Sequence, residues 1–194
     1  TKQTHTPNVY TANPEFIGSS TPTDPSYNDI DGLVTDLKGV GLVSQYADCV
    51  PLVFYDPIRK VIATSHAGWR GTVGKIAEKT IKKMVSDYGC NTKDIIAGIG
   101  PSVSKCCYEV DDPVMCKVRA LDFIKLSDVA TDKGNGKYML DLKELNRLIM
   151  IHCGIDEGNI DVADICTCCK SDAFFSHRVC GNERGNLALI VALK

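Results

Sequence analysis

Three side chains that could share one metal ion stand far apart in this sequence: His5 in Gln3-Thr4-His5, Cys49 in Ala47-Asp48-Cys49-Val50-Pro51, and His66 in Thr64-Ser65-His66-Ala67-Gly68-Trp69-Arg70-Gly71. Two imidazoles and a thiolate suit zinc, and three protein ligands leave a fourth position for water or substrate, the open pattern of a catalytic site. Zinc held this way brings the pKa of its water down toward 7. The ligands are too far apart to make a local motif, so spacing alone does not establish the site. Taken singly, Cys49 reads as a small buried hydrophobe and His5 as an exposed residue of a polar segment. His66 reads either as a site residue or as an imidazole satisfied by backbone groups. A Cys49 and His66 pair could also work without metal, as a thiol nucleophile and its base.

Neighbouring residues extend the chemistry. Asp48 is a carboxylate at the start of an apolar strand, where burying it unpaired is expensive. It is expected to orient a histidine, accept a proton or face water. Arg70 offers a planar fork for phosphate or developing negative charge, and Trp69 a surface that supports a base or simply packs. Gly68 and Gly71 permit close approach of backbone.

The C-terminal stretch Cys166-Thr167-Cys168-Cys169 contains a CxxC pair, with His177 and Cys180 downstream. A structural zinc knuckle is a rival use for these residues, although a second CxxC at zinc-ribbon spacing is lacking. Cys106 and Cys107 are adjacent, which disfavours a mutual disulfide, and leaves burial or a substrate-facing thiol open. Phe174-Phe175-Ser176-His177-Arg178 alternates in the manner of a strand edge.

The elements that must position these groups are legible in the hydrophobic pattern. Residues 1 to 30 read as a strand at Val9-Tyr10 followed by a long polar loop. Short β-branched runs at 32–35, 41–44, 50–55 and 61–64, separated by turn residues, read as strands of a substantially buried sheet. His66 then lies at a strand end, where sites are usually built. After Gly71, Val73, Ile76, Ala77, Thr80, Ile81, Met84, Val85 and Tyr88 follow the helical rule, with Lys75, Glu78, Lys79, Lys82 and Lys83 on the wet face and Gly89 at the stop. A strand over 94–99 delivers the turn Gly100-Pro101-Ser102. Asp112-Pro113 reads as an N-cap and first helical residue, and 127–137 as a loop. Asp141 with Glu144 resembles a capping box opening a helix to Gly154. Strands are expected at 160–165 and 187–193.

At 194 residues one domain spanning the whole chain is expected, burying about 70% of the surface its unfolded form exposes. A net charge of -2 without blocks of like charge argues against nucleic-acid or membrane-surface partners and for small molecules. No apolar run reaches the ~18 residues of a membrane span. Ten cysteines in a chain this long, with ample apolar residues and no secretory leader, read as reduced cytoplasmic thiols. The sequence does not specify an oligomeric state.

Taken in order, Gln3-Thr4-His5, Asp31-Gly32-Leu33-Val34-Thr35, Ala47-Asp48-Cys49-Val50-Pro51, His66-Ala67-Gly68-Trp69-Arg70-Gly71, Gly100-Pro101-Ser102, Cys106-Cys107-Tyr108-Glu109-Val110, Cys166-Thr167 and Phe174-Phe175-Ser176-His177-Arg178 resemble the laccase-domain, YfiH-type family across nearly the whole chain. That resemblance implies zinc on His5, Cys49 and His66. It implies an α+β fold of layered mixed β-sheets flanked by helices, akin to cytotoxic necrotizing factor catalytic domains. It also implies phosphorolysis of adenosine, inosine, guanosine and methylthioadenosine with inorganic phosphate, and deamination of adenosine. On this chemistry Asp48 handles protons, Arg70 holds phosphate and Trp69 meets the substrate. Copper-dependent polyphenol oxidation, the older family name, is the alternative, but four histidines are few for a multi-copper arrangement. Editing of cell-wall precursors is another. Two departures stand out. Family members usually carry some tens of residues before the first motif, a segment this chain is expected to lack. Met139-Leu140-Asp141-Leu142 also stands where many members have His-Leu-Asp-Leu.

Overall fold

The computed structural model describes residues 2–14 and 28–194. In chain order the strands and helices are β1 (Val9–Thr11), β2 (Gly32–Thr35), β3 (Gly41–Tyr46), β4 (Val50–Asp56), β5 (Val61–Ala67), α1 (Trp69–Val73), α2 (Ile76–Tyr88), β6 (Ile96–Ile99), β7 (Glu109–Asp111), α3 (Asp112–Arg119), α4 (Leu126–Val129), β8 (Ala130–Gly134), β9 (Lys137–Leu140), α5 (Leu142–His152), β10 (Ile160–Val162), α6 (His177–Cys180) and β11 (Leu187–Ala192). The fold is α+β. A mixed sheet of order β1-β2-β5-β4-β6-β10 forms its centre, with a β11-β3 ladder and a β7-β9-β8 sheet beside it.

Strand β5 is buried along its whole length, and its two faces meet different layers because side chains alternate. Ser65 bonds Thr80 of α2 at 2.7 Å, while Thr64 on the opposite face bonds Ser44 of β3. The larger core, including Val34, Leu52, Phe54, Ala63, Ile76, Ile81, Met84, Leu145 and Ile149, fills the helix side. Ile30, Leu33, Leu42, Ile62 and Leu193 fill the ladder side. His66 shares the face of Ile62 and Thr64, and therefore points toward the ladder.

Several expectations shift in the folded chain. The helix expected after Gly71 is two helices, the first already open at Trp69 and enclosing Gly71, with a break at Lys75, whose backbone is left-handed (φ 60°); Lys75 therefore precedes α2 rather than lining its wet face, and Val85 is partly exposed. Gly89 does close α2 with φ 66°. Asp111, not Asp112, is the residue before α3, with Pro113 in its first turn. The expected loop at 127–137 holds the end of α4, β8 and the turn into β9. Thr131 to Gly134 are exposed, so an edge strand with polar side chains carries no apolar alternation. Residues 174–178 are not a strand; they turn into α6. The cap at Asp141 is made, its side chain accepting the Glu144 amide at 3.0 Å. No described helix is long and apolar enough to cross a membrane.

Candidate metal centre

Strand β5 carries His66 to the end of the central sheet, opposite Pro51 of β4 in the antiparallel register. Cys49 immediately precedes β4, so the β4–β5 pairing delivers both residues to one edge. His5 arrives on the segment leading into β1, which pairs with β2. One ligand atom from each of the three lies within 4.8 Å of the other two, and the two imidazoles meet edge to face at 4.9 Å between centroids. His66 is buried, Cys49 half-buried and His5 exposed, so the cluster opens to solvent on the side of His5.

Asp31 fixes this arrangement, and the sequence reading missed its role. Its carboxylate is buried. Oδ1 accepts from His66 Nδ1 at 2.7 Å and from the His5 amide at 3.1 Å. Oδ2 accepts from the Thr6 amide at 2.9 Å, the Thr6 hydroxyl at 2.9 Å and the Thr4 amide at 3.2 Å. One carboxylate thus holds the segment bearing His5 and, with the proton on Nδ1, leaves the lone pair of His66 on Nε2. Asp31 lies at the turn into β2, distant in sequence from both histidines; its presence in the Asp31-Gly32-Leu33-Val34-Thr35 motif was the available signal.

Electrostatics follow from this packing. Burial pushes the Asp31 carboxyl up, but hydrogen bonds from His66 and Thr6 outweigh it and hold it below the usual carboxylate range. Burial raises the Cys49 thiol, and hydrogen bonds with His5 and His66 more than reverse that, bringing it to about 7. Burial depresses the His66 imidazole, while Asp31 and Cys49 raise it to about 9. The packing favours a Cys49 thiolate beside a protonated His66, a proton whose place a cation would take.

Gly68 leaves the necessary space. A Cβ there would stand 2.7 Å from His5 Cδ2 and 3.1 Å from Cys49 Sγ, so a side chain would occupy the room beside two of the donors. Trp69 then packs against the main core, with the Arg70 guanidinium over its ring at 4.3 Å. Arg70 is exposed.

Asp48 orients neither histidine; Asp31 does that for His66. Asp48 is buried, and Oδ1 accepts from the Thr167 hydroxyl at 2.7 Å while Oδ2 accepts from the Arg178 amide at 2.9 Å. Arg178 is exposed and lays its guanidinium over the Tyr108 ring at 5.0 Å. Burial raises the Tyr108 phenol to about 12; the Cys49 charge adds to this, and Arg178 and Arg70 oppose it. Tyr108 therefore sits within electrostatic reach of the thiol and both arginines.

The profile of the family described as multi-copper polyphenol oxidoreductase laccase matches residues 1–194. The chain belongs to this family. It is 42% identical over 164 residues to the purine nucleoside phosphorylase YlmD of Bacillus subtilis (strain 168), covering 84% of this chain and 59% of that protein. It is 36% identical to adenosine deaminase RL5 of an unknown prokaryotic organism, over 80% of this chain and 59% of that one. The chain thus spans about three fifths of the length of these laccase-family relatives. Among solved structures, YfiH of Bacillus licheniformis superposes with a TM-score of 0.94 at 37% identity, over 99% of this chain and 72% of that one.

Proposed function

We propose that the chain acts in a zinc-dependent enzyme of purine nucleosides, phosphorolysing adenosine, inosine, guanosine and methylthioadenosine and deaminating adenosine. The observation that carries this reading is the convergence of His5, Cys49 and His66 on one point, with Asp31 turning His66 Nε2 toward it. The donor set fits zinc: two imidazoles and one thiolate, with Gly68 keeping the adjoining space clear. When bound, zinc supplies Lewis acidity that makes water a competent nucleophile near neutral pH. Arg70, stacked on Trp69, offers a preoriented fork for phosphate, and through it Trp69 contributes to substrate binding. In deamination Asp48 takes the proton from the attacking water and passes it to the amino group, which departs from C6 as ammonia. In phosphorolysis a phosphate oxygen attacks the anomeric carbon as the base leaves. The relatives named as a phosphorylase and as an adenosine deaminase support both reactions.

The imidazole supply disfavours multi-copper chemistry. Of the four histidines, His152 stacks on Phe123 at 3.9 Å and His177 Nδ1 bonds the Gly181 carbonyl at 3.1 Å, and among the described residues neither joins the His5, Cys49 and His66 group. A metal-free thiol hydrolase has one observation in its favour, the Cys49 thiol lowered beside His66.

Elemental analysis paired with an inosine assay decides among these. Zinc that is lost in Cys49→Ala, together with hypoxanthine release that requires phosphate and stops on chelation, is the expected result. Turnover that survives chelation and is abolished by alkylation would replace the proposal with the thiol hydrolase.

A further inference from the structure

The loop after β6 and the loop after β10 each bring two cysteines to one place. Sγ of Cys106, Cys107, Cys166 and Cys169 all lie within 4.8 Å of one another. Cys169 Sγ is 3.6 Å from Cys106 Sγ and 3.4 Å from Cys107 Sγ. These separations far exceed a disulfide bond, ~2.05 Å, and all four thiols are free. They sit close to the edge of a tetrahedron of sulfurs around zinc, which at a Zn–S length of about 2.3 Å is ~3.8 Å.

We propose that these four cysteines form a tetrathiolate zinc site, separate from the His5, Cys49 and His66 cluster and structural in character. Four identical soft donors fill the coordination of a zinc ion and leave no open position, in contrast to the three-ligand cluster. The ligands fall on tight backbone turns. The Cys107 amide bonds the Ser104 carbonyl at 2.9 Å, and the Lys170 amide bonds the Cys166 carbonyl at 3.0 Å. The Ser104 amide donates to Cys166 Sγ at 3.4 Å, the kind of outer contact that supports a metal-bound thiolate. Cys106 and Cys169 are exposed, which gives an ion an entry path. His177 and Cys180, the partners suggested by sequence, are not in the cluster among the described residues.

The ion would clamp two loops that both hold Asp48. The Val103 amide bonds the Asp48 carbonyl at 3.0 Å, and the Thr167 amide bonds the Ser102 carbonyl at 3.0 Å. Thr167, between two cysteines, bonds the Asp48 carboxylate. Lys143 Nζ, donating to the Ala163 carbonyl at 2.9 Å and the Ile165 carbonyl at 3.3 Å, fixes the approach to Cys166 from α5.

The test is metal stoichiometry by site. Zinc-supplemented protein is expected to hold two zinc per chain, falling to one in Cys169→Ser and to one in Cys49→Ala. Cobalt added to metal-free Cys49→Ala, where the four-cysteine loops are intact, is expected to give the intense visible bands of tetrahedral cobalt and thiolate-to-cobalt charge transfer. Both should vanish in Cys49→Ala/Cys169→Ser. Absence of the cobalt spectrum in Cys49→Ala would overturn the site without reference to whether Cys169→Ser folds. Iron in place of zinc, or loss of two titratable thiols to a disulfide in the unreduced protein, would overturn it as well. Failure of the first cluster to bind zinc would appear separately, as a stoichiometry unchanged by Cys49→Ala.

Discussion

The two clusters of metal-capable side chains are built on different principles, although both are assembled from segments remote in sequence. His5, Cys49 and His66 gather at the end of a buried strand, and a single buried carboxylate, Asp31, fixes both histidine-bearing segments. The four thiols of Cys106, Cys107, Cys166 and Cys169 gather on two surface turns, held by backbone hydrogen bonds and, from beneath, by the Asp48 carboxylate and the Lys143 ammonium, neither of which bonds a thiol. Mixed donors, three in number and open on one side, suit chemistry on a bound molecule; four like donors suit a closed clasp. Asp48 lies between them, next to Cys49 in the chain and bonded to Thr167 of the clasp.

The sharpest way to break the distinction is Cys49→Ala. Loss of outer ligand partners alone costs about 10–100-fold in metal affinity or activity, so loss of a direct donor is expected to exceed ~100-fold in nucleoside turnover while the tetrathiolate zinc is retained. Metal analysis and the inosine assay on one preparation check both halves. Equal loss of metal from both clusters would show that they are one cooperative unit.

Asp31→Asn comes next. Asparagine keeps an oxygen for His66, but its amide nitrogen cannot accept from the Thr4 and Thr6 amides, leaving these part-buried donors without their acceptor. Zinc affinity at the three-ligand cluster is expected to fall about 10–100-fold and stability by about 1–3 kcal/mol. Chelator competition and urea unfolding measure these. Unchanged affinity would refute Asp31 as the residue that orients the cluster.

Gly68→Ala tests the cradle with less disturbance. The added methyl meets His5 Cδ2 at 2.7 Å, and His5, on an exposed segment, is the partner able to yield. The fold should persist with zinc affinity lowered about 10-fold, within the range of outer-site perturbations, and with the four-cysteine cobalt spectrum unaltered. Wild-type affinity would mean that His5 is not a ligand.

How far these features were legible in the sequence follows from the range of each interaction. The strand before His66 and the capped helix from Asp141 are local, written in a β-branched run and in residues three apart; the helix folded as read, while the strand runs past the expected 61–64 to Ala67 and takes His66 into it. Gly89 closes α2 for the same reason. The break at Lys75 escaped because the apolar positions keep their period across it while one backbone residue turns left-handed. Strand β8 escaped because its exposed edge position removes the alternation that identifies strands. His5, Cys49 and His66 were named by donor chemistry and family resemblance, whereas the Asp31 to His66 pairing spans 35 residues and has no local signature. The same holds for Cys169, whose partners Cys106 and Cys107 are 63 and 62 residues away; downstream His177 and Cys180 were nearer in sequence and not in space.

The smallest effect tests the connection between the clusters. Thr167→Val preserves shape and removes only the hydroxyl that donates to Asp48 at 2.7 Å. A buried hydrogen bond to a charged group contributes about 1.5–3 kcal/mol, so stability should fall by that order while zinc content stays unchanged at both clusters. If Asp48 handles protons during turnover, its looser placement lowers kcat several-fold with KM little altered, because the interaction acts on the reacting step rather than on substrate affinity. A rise in KM alone would instead assign Asp48 to substrate binding. Unchanged kinetics with the same loss of stability would make it a structural link between the two loops, and the comparison would then be between one catalytic cluster and one clasp with no functional traffic between them.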